Sequence, residues 1–214
     1  MRFRSIAHLV VRELLGSELP LNDVRRAETI RGIGLSDAPA YAVPLAKRFD
    51  YTNTFFHARP RLDITDIPDS LSHRYRFVIS SDVFEHVAPP VSRAFEGARK
   101  LLADDGFLVL TVPFSLDADT VEHFPELHDF RIEGRGAAAV LQNRTRDGRT
   151  QRFHDLVFHG GQGATLEMRL FARASLEREL LAAGFSNVRF CDESYLPFGI
   201  VWRHPWSIPI VARP

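Results

Sequence analysis

The residues of this 214-residue chain best suited to chemistry stand in short polar groups, each behind an apolar run. Gly32-Ile-Gly34 is followed, after Leu35, by Ser36-Asp37. Glycines there let a ligand approach the backbone closely, and the start of a following helix favours polar groups. A tight turn with nothing bound is the other reading. A dinucleotide fingerprint would set its third glycine at position 37, where Asp37 stands. That carboxylate repels a pyrophosphate and favours a cationic or hydroxyl-rich ligand. Asp63 precedes Ile64, so a carboxylate there can bond a ring amine while its neighbour packs on the ring. Alternatively, Asp63 or Asp66 caps a turn before Pro68. Ser81-Asp82 closes another apolar run, and Asp82 and His86 are spaced to pair across one helical turn.

Among the histidines, His86, His123, His128 and His159 are the candidates for moving a proton near neutral pH, and His86 and His128 are singled out as catalytic candidates. Each also reads as an ordinary surface or structural histidine. His123 and His128 with Glu122 and Glu126 suggest a metal, but the spacing matches no strong ligand motif. Cys191 is the single cysteine, so no thiolate set exists and no metal is expected. Phe153 to Gly163 is glycine-rich, yet no Lys or Ser/Thr follows in phosphate-loop register, and it reads as a hinge.

The elements that must position these groups follow from periodicity. Ile6, Leu9, Val10 and Leu14 recur at helical spacing, so residues 1–22 read as an amphipathic helix and a connector. A short β-like stretch covers Glu28 to Asp37. A helix is predicted from Pro39 to Phe49, with Pro39 in its first turn and Pro44 inside it. Strands are predicted at Tyr51–Phe56, Arg61–Thr65, Tyr75–Ser80 and Phe107–Val112. Helices are predicted over Val91–Leu102, closed by Asp104-Asp105-Gly106, and over Leu176–Ala183, closed by Gly184. Thr165 to Phe171 reads as a strand leading into the last helix. Val188–Cys191 and Ile208–Ala212 close the pattern, with Pro209 arguing for an edge position.

Strand–helix alternation of this kind predicts an α/β fold: a doubly wound Rossmann-like sheet, mostly parallel with an antiparallel edge strand, and helices on both faces. Such sheets bind ligands beyond the carboxyl ends of their strands, where the polar groups above would converge. Between residues 115 and 170 the periodicity is lost and His, Arg and Gly gather, which reads as an insertion or lid over that crevice. Residues 1–214 make one domain on this reading.

Composition removes several classes. The 45% hydrophobic and 25% charged fractions exclude disorder and collagen-like structure. Lys+Arg 27 against Asp+Glu 27 leaves no net charge, so a nucleic-acid partner held by bulk electrostatics is not expected. No apolar run approaches a membrane span, and the lone cysteine fits a reducing, cytoplasmic setting.

Arg76-Phe-Val-Ile-Ser-Ser-Asp-Val-Phe-Glu-His-Val87 resembles the fourth-strand signature of class I S-adenosylmethionine-dependent methyltransferases of the type 11-like group. Asp63-Ile-Thr-Asp-Ile-Pro68 is similar to that family's acidic third-strand motif. Arg99 to Pro113 is similar to its helix, glycine turn and fifth strand. The likeness spans roughly residues 28 to 114, and Leu176 to Ala212 fits the closing helix and strands. It implies S-adenosylmethionine as cofactor. Gly32, Gly34, Ser36 and Asp37 would face its methionine part, Asp63 and Ile64 would flank the adenine, and Ser81 and Asp82 would line the opposite wall. Two features depart from the family: the glycine motif is abbreviated, and no acidic residue ends the second strand. Asn53 and Thr54 stand there, so an amide or hydroxyl would hold the ribose.

The resemblance implies in-line methyl transfer to a small-molecule or glycan-like acceptor. Alignment of the reacting atoms can supply ~7–11 kcal/mol of barrier lowering, and a general base is needed only if the acceptor retains its proton. The abbreviated glycine turn motivates a non-catalytic binding or scaffold protein of the same fold as the alternative. A nicotinamide oxidoreductase is disfavoured by Asp37 at the third-glycine position.

Overall fold

The structure, a computed structural model, describes residues 1–159, 165–204 and 208–214. Helix α1 (Arg2–Leu15) buries Ile6, Leu9, Val10 and Val11 on one face and ends where Gly16 turns left-handed at φ 61°. Then follow β1 (Ala27–Leu35), α2 (Pro39–Arg48), β2 (Phe49–Thr54), β3 (Tyr75–Ser81), α3 (Ser92–Leu101) and β4 (Leu102–Thr111). Pro39 sits in the first turn of α2, and Pro44 stays inside the helix. The four strands pair in parallel in the order β2-β1-β3-β4.

Two expectations in this half are corrected. Arg61 to Thr65 is not a strand: Arg61 forms a single bridge to Phe55. The Asp63 carboxylate then accepts from the Thr65 backbone N–H at 2.9 Å and hydroxyl at 2.7 Å, so a turn wins over a strand. Asp104-Asp105-Gly106 does not form a loop after α3. Leu102 already begins β4, and the three residues lie in the stretch where the register against β3 shifts, between Tyr75 and Phe77.

Beyond β4 the chain makes β5 (Phe114–Ser115), β6 (Val121–Glu122), β7 (Asp129–Glu133), β8 (Val140–Arg144), β9 (Thr150–Phe153), β10 (Phe158–His159), β11 (Thr165–Leu166) and β12 (Arg169–Ala172). These form three small sheets, β7-β8-β9, β10-β11 and β5-β12-β6. Strands this short are invisible to a periodicity argument, although Phe124, Leu141, Leu166 and Met168 give the region an apolar centre of its own. The strand predicted over Thr165 to Phe171 is split. The Glu167 N–H turns to the Val157 carbonyl and the Met168 N–H to the Glu85 carbonyl. The predicted glycine hinge ends at residues 160–163, which lie outside the described residues.

Helix α4 (Arg173–Ala182) begins three residues before the prediction, and β13 (Asn187–Phe190) and β14 (Ile210–Arg213) complete the main sheet. Its full order is β13-β14-β4-β3-β1-β2, with β14 antiparallel to both neighbours. The reversed strand is therefore one place in from the edge that Pro209 had suggested. Pro209 lies just ahead of β14, where its missing N–H costs no ladder bond, and its carbonyl accepts from the Cys191 N–H at 2.8 Å.

Alternation along the strands divides the core in two. Ile33, Val78, Leu108 and Leu110 pack on one face against Phe95 and Ala98 of α3 and Leu176 and Leu180 of α4. Phe77, Ile79, Phe107 and Val109 pack on the other against Ile6 and Val10 of α1 and Tyr41 and Leu45 of α2. No helix among the described residues is long and apolar enough to cross a membrane. Gly97 of α3 lies against the turn after β2, and a Cβ there would run into the Ile64 carbonyl oxygen. Backbone cannot rotate aside as a side chain can. Gly97→Ala is therefore expected to cost about 2–3 kcal/mol despite its better helix propensity, read as a lowered urea midpoint.

Candidate active site

The parallel register sets Gly34 beside Asn53, Leu35 beside Thr54, and Leu35 beside Ser80. The carboxyl ends of β1, β2 and β3 thus bring Ser36-Asp37, Asn53-Thr54 and Ser81-Asp82 together. Hydrogen bonds tie the first two groups. The Ser36 N–H donates to the Thr54 carbonyl at 2.7 Å, and the Thr54 hydroxyl donates to the Gly34 carbonyl at 2.7 Å. The Asn53 side chain grips the backbone of Asp37 on both sides, accepting from its N–H and donating to its carbonyl, each at 2.9 Å. Ser36 and Asp82 are both left-handed, with φ of 56° and 54°. Two non-glycine residues in that conformation, each just past a strand end, mark a site where backbone strain is tolerated. Asp63 and Ile64 differ: the Asp63 carboxylate caps its own turn, and Ile64 is buried under α3.

Asp37 is 3% exposed and accepts hydrogen bonds from the Tyr41 hydroxyl, at 2.6 Å, and the Tyr51 hydroxyl. Burial pushes its carboxyl up to about 7, against the opposing pull of the two tyrosine bonds. Both tyrosines are pushed well up, by burial first and then by the charge of Asp37. The two glycines differ from expectation. A Cβ on Gly34 would meet the Tyr51 hydroxyl and the Asp37 carboxylate, and one on Gly32 would meet the Phe77 ring. Their open sides admit this chain's own side chains rather than a ligand. The sequence marks Tyr51 only as a strand residue, although it lies two residues before Asn53 and so shares its face of β2.

Asp82 pairs with Arg2 of α1 at 2.5 Å, not with His86. Phe84–His86 form one 3-10 turn, so positions 82 and 86 do not stack as on an α-helix. Burial raises the Asp82 carboxyl while Arg2 opposes the rise. Glu85, to which the sequence assigns no role of its own, is wholly buried, and neither of its carboxylate oxygens has a hydrogen-bond partner. Burial, then the nearby Asp82 charge, pushes it up to about 8.

The small sheets close on this turn. The His86 Nδ1 bonds the Leu166 carbonyl at 3.0 Å, and burial lowers its pKa. The His159 ring stands 5.0 Å from that of His86, and its Nε2 bonds Glu167 at 2.8 Å. The other Glu167 oxygen holds His123 at 2.9 Å. Arg169, 1% exposed, reaches Glu122 at 2.6 Å and donates to the carbonyls of Phe84 at 2.9 Å and Val87 at 2.6 Å. The four residues weighed as metal ligands are dispersed. Glu122 goes to Arg169, His123 to Glu167, and Glu126 to Arg149 and Gln151. His128 is exposed just ahead of β7, its backbone N–H donating to the Asn143 side-chain oxygen.

Residues 13–189 match a family described as methyltransferase domain. No curated protein matches the chain by sequence. The solved structures that share its fold include three methyltransferases. The 1,6-didemethyltoxoflavin-N1-methyltransferase of Burkholderia thailandensis is 15% identical, with a TM-score of 0.52 over 99% of this chain and 77% of its own. The sugar N-methyltransferase KedS8 of Streptoalloteichus sp ATCC 53650 is 14% identical, with a TM-score of 0.54 over 100% of this chain and 87% of its own. The CurJ carbon methyltransferase is 15% identical, with a TM-score of 0.55 over 98% of this chain, which spans only 54% of that longer chain.

Proposed function

The chain belongs to the methyltransferase domain family, and on that premise we propose that it transfers a methyl group from S-adenosylmethionine to a small-molecule or glycan-like acceptor by in-line displacement. The observation that carries this reading is the gathering of carboxylates at the strand ends. Asp37 and Asp82 stand at the converging ends of β1 and β3, Glu85, whose carboxylate has no hydrogen bond, lies near Asp82, and Arg2 pairs with Asp82. Burial holds these carboxyls above their ordinary range, and a cationic ligand would favour their charged forms. S-adenosylmethionine, when bound, supplies an electrophilic methyl group on a positively charged sulfur.

Ser36, Asp37, Asn53 and Thr54 would hold it from one side and Ser81 and Asp82 from the other, with Asp63 and Ile64 as the candidates for the adenine. The fit rests on the converging, strained strand ends and their carboxyl groups, not on a glycine cradle, because Gly34 is covered by Tyr51 and Asp37. Residues 115–170 serve as the lid on this reading. They pack on the Phe84–Val87 turn through Arg169 and Leu166, and would keep water from the acceptor. The covered glycine also favours the second reading, a non-catalytic protein of the same fold.

Calorimetric titration with S-adenosylhomocysteine separates the two. Binding at sub-millimolar concentration is expected, and its absence would leave the non-catalytic reading. Asp82→Asn keeps the shape and removes the charge, and should weaken that binding about tenfold, or ~1.4 kcal/mol.

A further inference from the structure

Glu85 and His86 share the Phe84–His86 turn and His159 comes from β10, yet each offers a ligand atom within 4.8 Å of the others. Three groups meeting this way are not in themselves a site. What points to a ligand is Glu85, a carboxylate with 0% exposure and both oxygens unpartnered. Native interiors rarely leave such a group unsatisfied, because its desolvation is costly.

The histidines are arranged to complement it. His86 gives its Nδ1 to the Leu166 carbonyl, which leaves Nε2, 3.8 Å from the Glu85 Oε1, with a free lone pair. His159 gives its Nε2 to Glu167, which leaves Nδ1. A backbone carbonyl or a carboxylate on the far nitrogen is the arrangement that orients metal-ligating imidazoles and raises their basicity. Of the nearby cations, Arg169 pairs with Glu122 and Arg2 with Asp82; each keeps one further buried nitrogen, Nη2 and Nε, without a hydrogen bond, and neither bonds a Glu85 oxygen. Ligand bonds of roughly 2.1 Å imply ligand atoms about 3.4 Å apart, so the three groups, now within 4.8 Å, must draw closer by up to about 1.4 Å.

We propose that Glu85, His86 and His159 bind a divalent transition-metal ion, with Glu167 positioning His159. Two imidazoles and one carboxylate suit zinc, iron, manganese or cobalt and leave coordination positions open. If the methyl-transfer reading holds, those positions would take an oxygen or nitrogen of the acceptor. The site itself does not depend on that reading.

The test therefore needs neither cofactor nor turnover. Cobalt(II) is added to the metal-stripped full chain, and bound metal and visible d–d absorption are measured. One equivalent is expected. Glu85→Gln and His159→Ala should abolish it, and Glu167→Gln should weaken it about tenfold. Failure of the wild-type chain to take up cobalt, or uptake by the Glu85 and His159 variants equal to wild type, would overturn the proposal. Where Glu85→Gln does not fold, His159→Ala decides alone, because that side chain is 37% exposed and its loss opens no core. Zinc should likewise raise the melting temperature of wild type and leave His159→Ala unmoved.

Discussion

Arg169→Met is expected to cost about 3–5 kcal/mol, enough to unfold a large share of the molecules at elevated temperature. The side chain is fully buried, and the replacement has similar length and no charge. What it leaves behind is the difficulty: the Glu122 carboxylate loses its partner, and the Phe84 and Val87 carbonyls lose their donor inside the protein. Those carbonyls belong to the turn that carries Glu85 and His86, so the loss should also loosen that turn. A urea titration gives the stability. Proton exchange at the Met168 N–H, which donates to the Glu85 carbonyl, reports the local opening. A change below 1 kcal/mol would mean that the guanidinium is not the clasp its contacts indicate.

Stability should fall as pH rises from about 4 to 7, by as much as ~4 kcal/mol from Asp37 alone. The sign follows from its folded value of about 7, above the ordinary 3.8. Over that range the folded chain keeps a proton that the unfolded chain releases, so raising the pH favours unfolding. The contribution is fully present below pH 4 and gone above 7. Other carboxylates titrate in the same interval, so the difference between wild type and Asp37→Asn isolates this one. The variant should be little more stable than wild type, or less, at pH 4.5, and more stable by several kcal/mol at pH 8. Parallel curves for the two proteins would show that Asp37 is charged when folded.

What the sequence revealed and what it hid divides along physical lines. Strands β3 and β4 were legible because each is a continuous apolar run, as a strand covered on both faces requires. The polar residues at their ends were legible because a parallel sheet leaves strand ends as the place where side chains converge. Asp63 was ambiguous for a real reason: its carboxylate can serve a ligand or its own turn, and the turn's donors are two residues away. Arg169 could not be found. A charged residue in Met168-Arg-Leu-Phe171 reads as a solvated position, and its burial depends on Glu122 and on two carbonyls brought by another element. The Glu85–His159 meeting was hidden for the same reason, since no spacing rule spans a pairing made only by tertiary packing.

Strand β14 covers the flank of β4, and the chain reaches it only after the whole insertion has been traversed. Closing so long a loop is slow, and until it happens Phe107 to Leu110 present unpaired amides on a flat, greasy border. A shortened form ending near Phe114 would keep the first four strands and meet this condition permanently. Its natural outcome is to recruit the same border of a sibling molecule and precipitate. Guarding against clumping is thus a second duty of the residues from 208 to 213, apart from any chemistry above them.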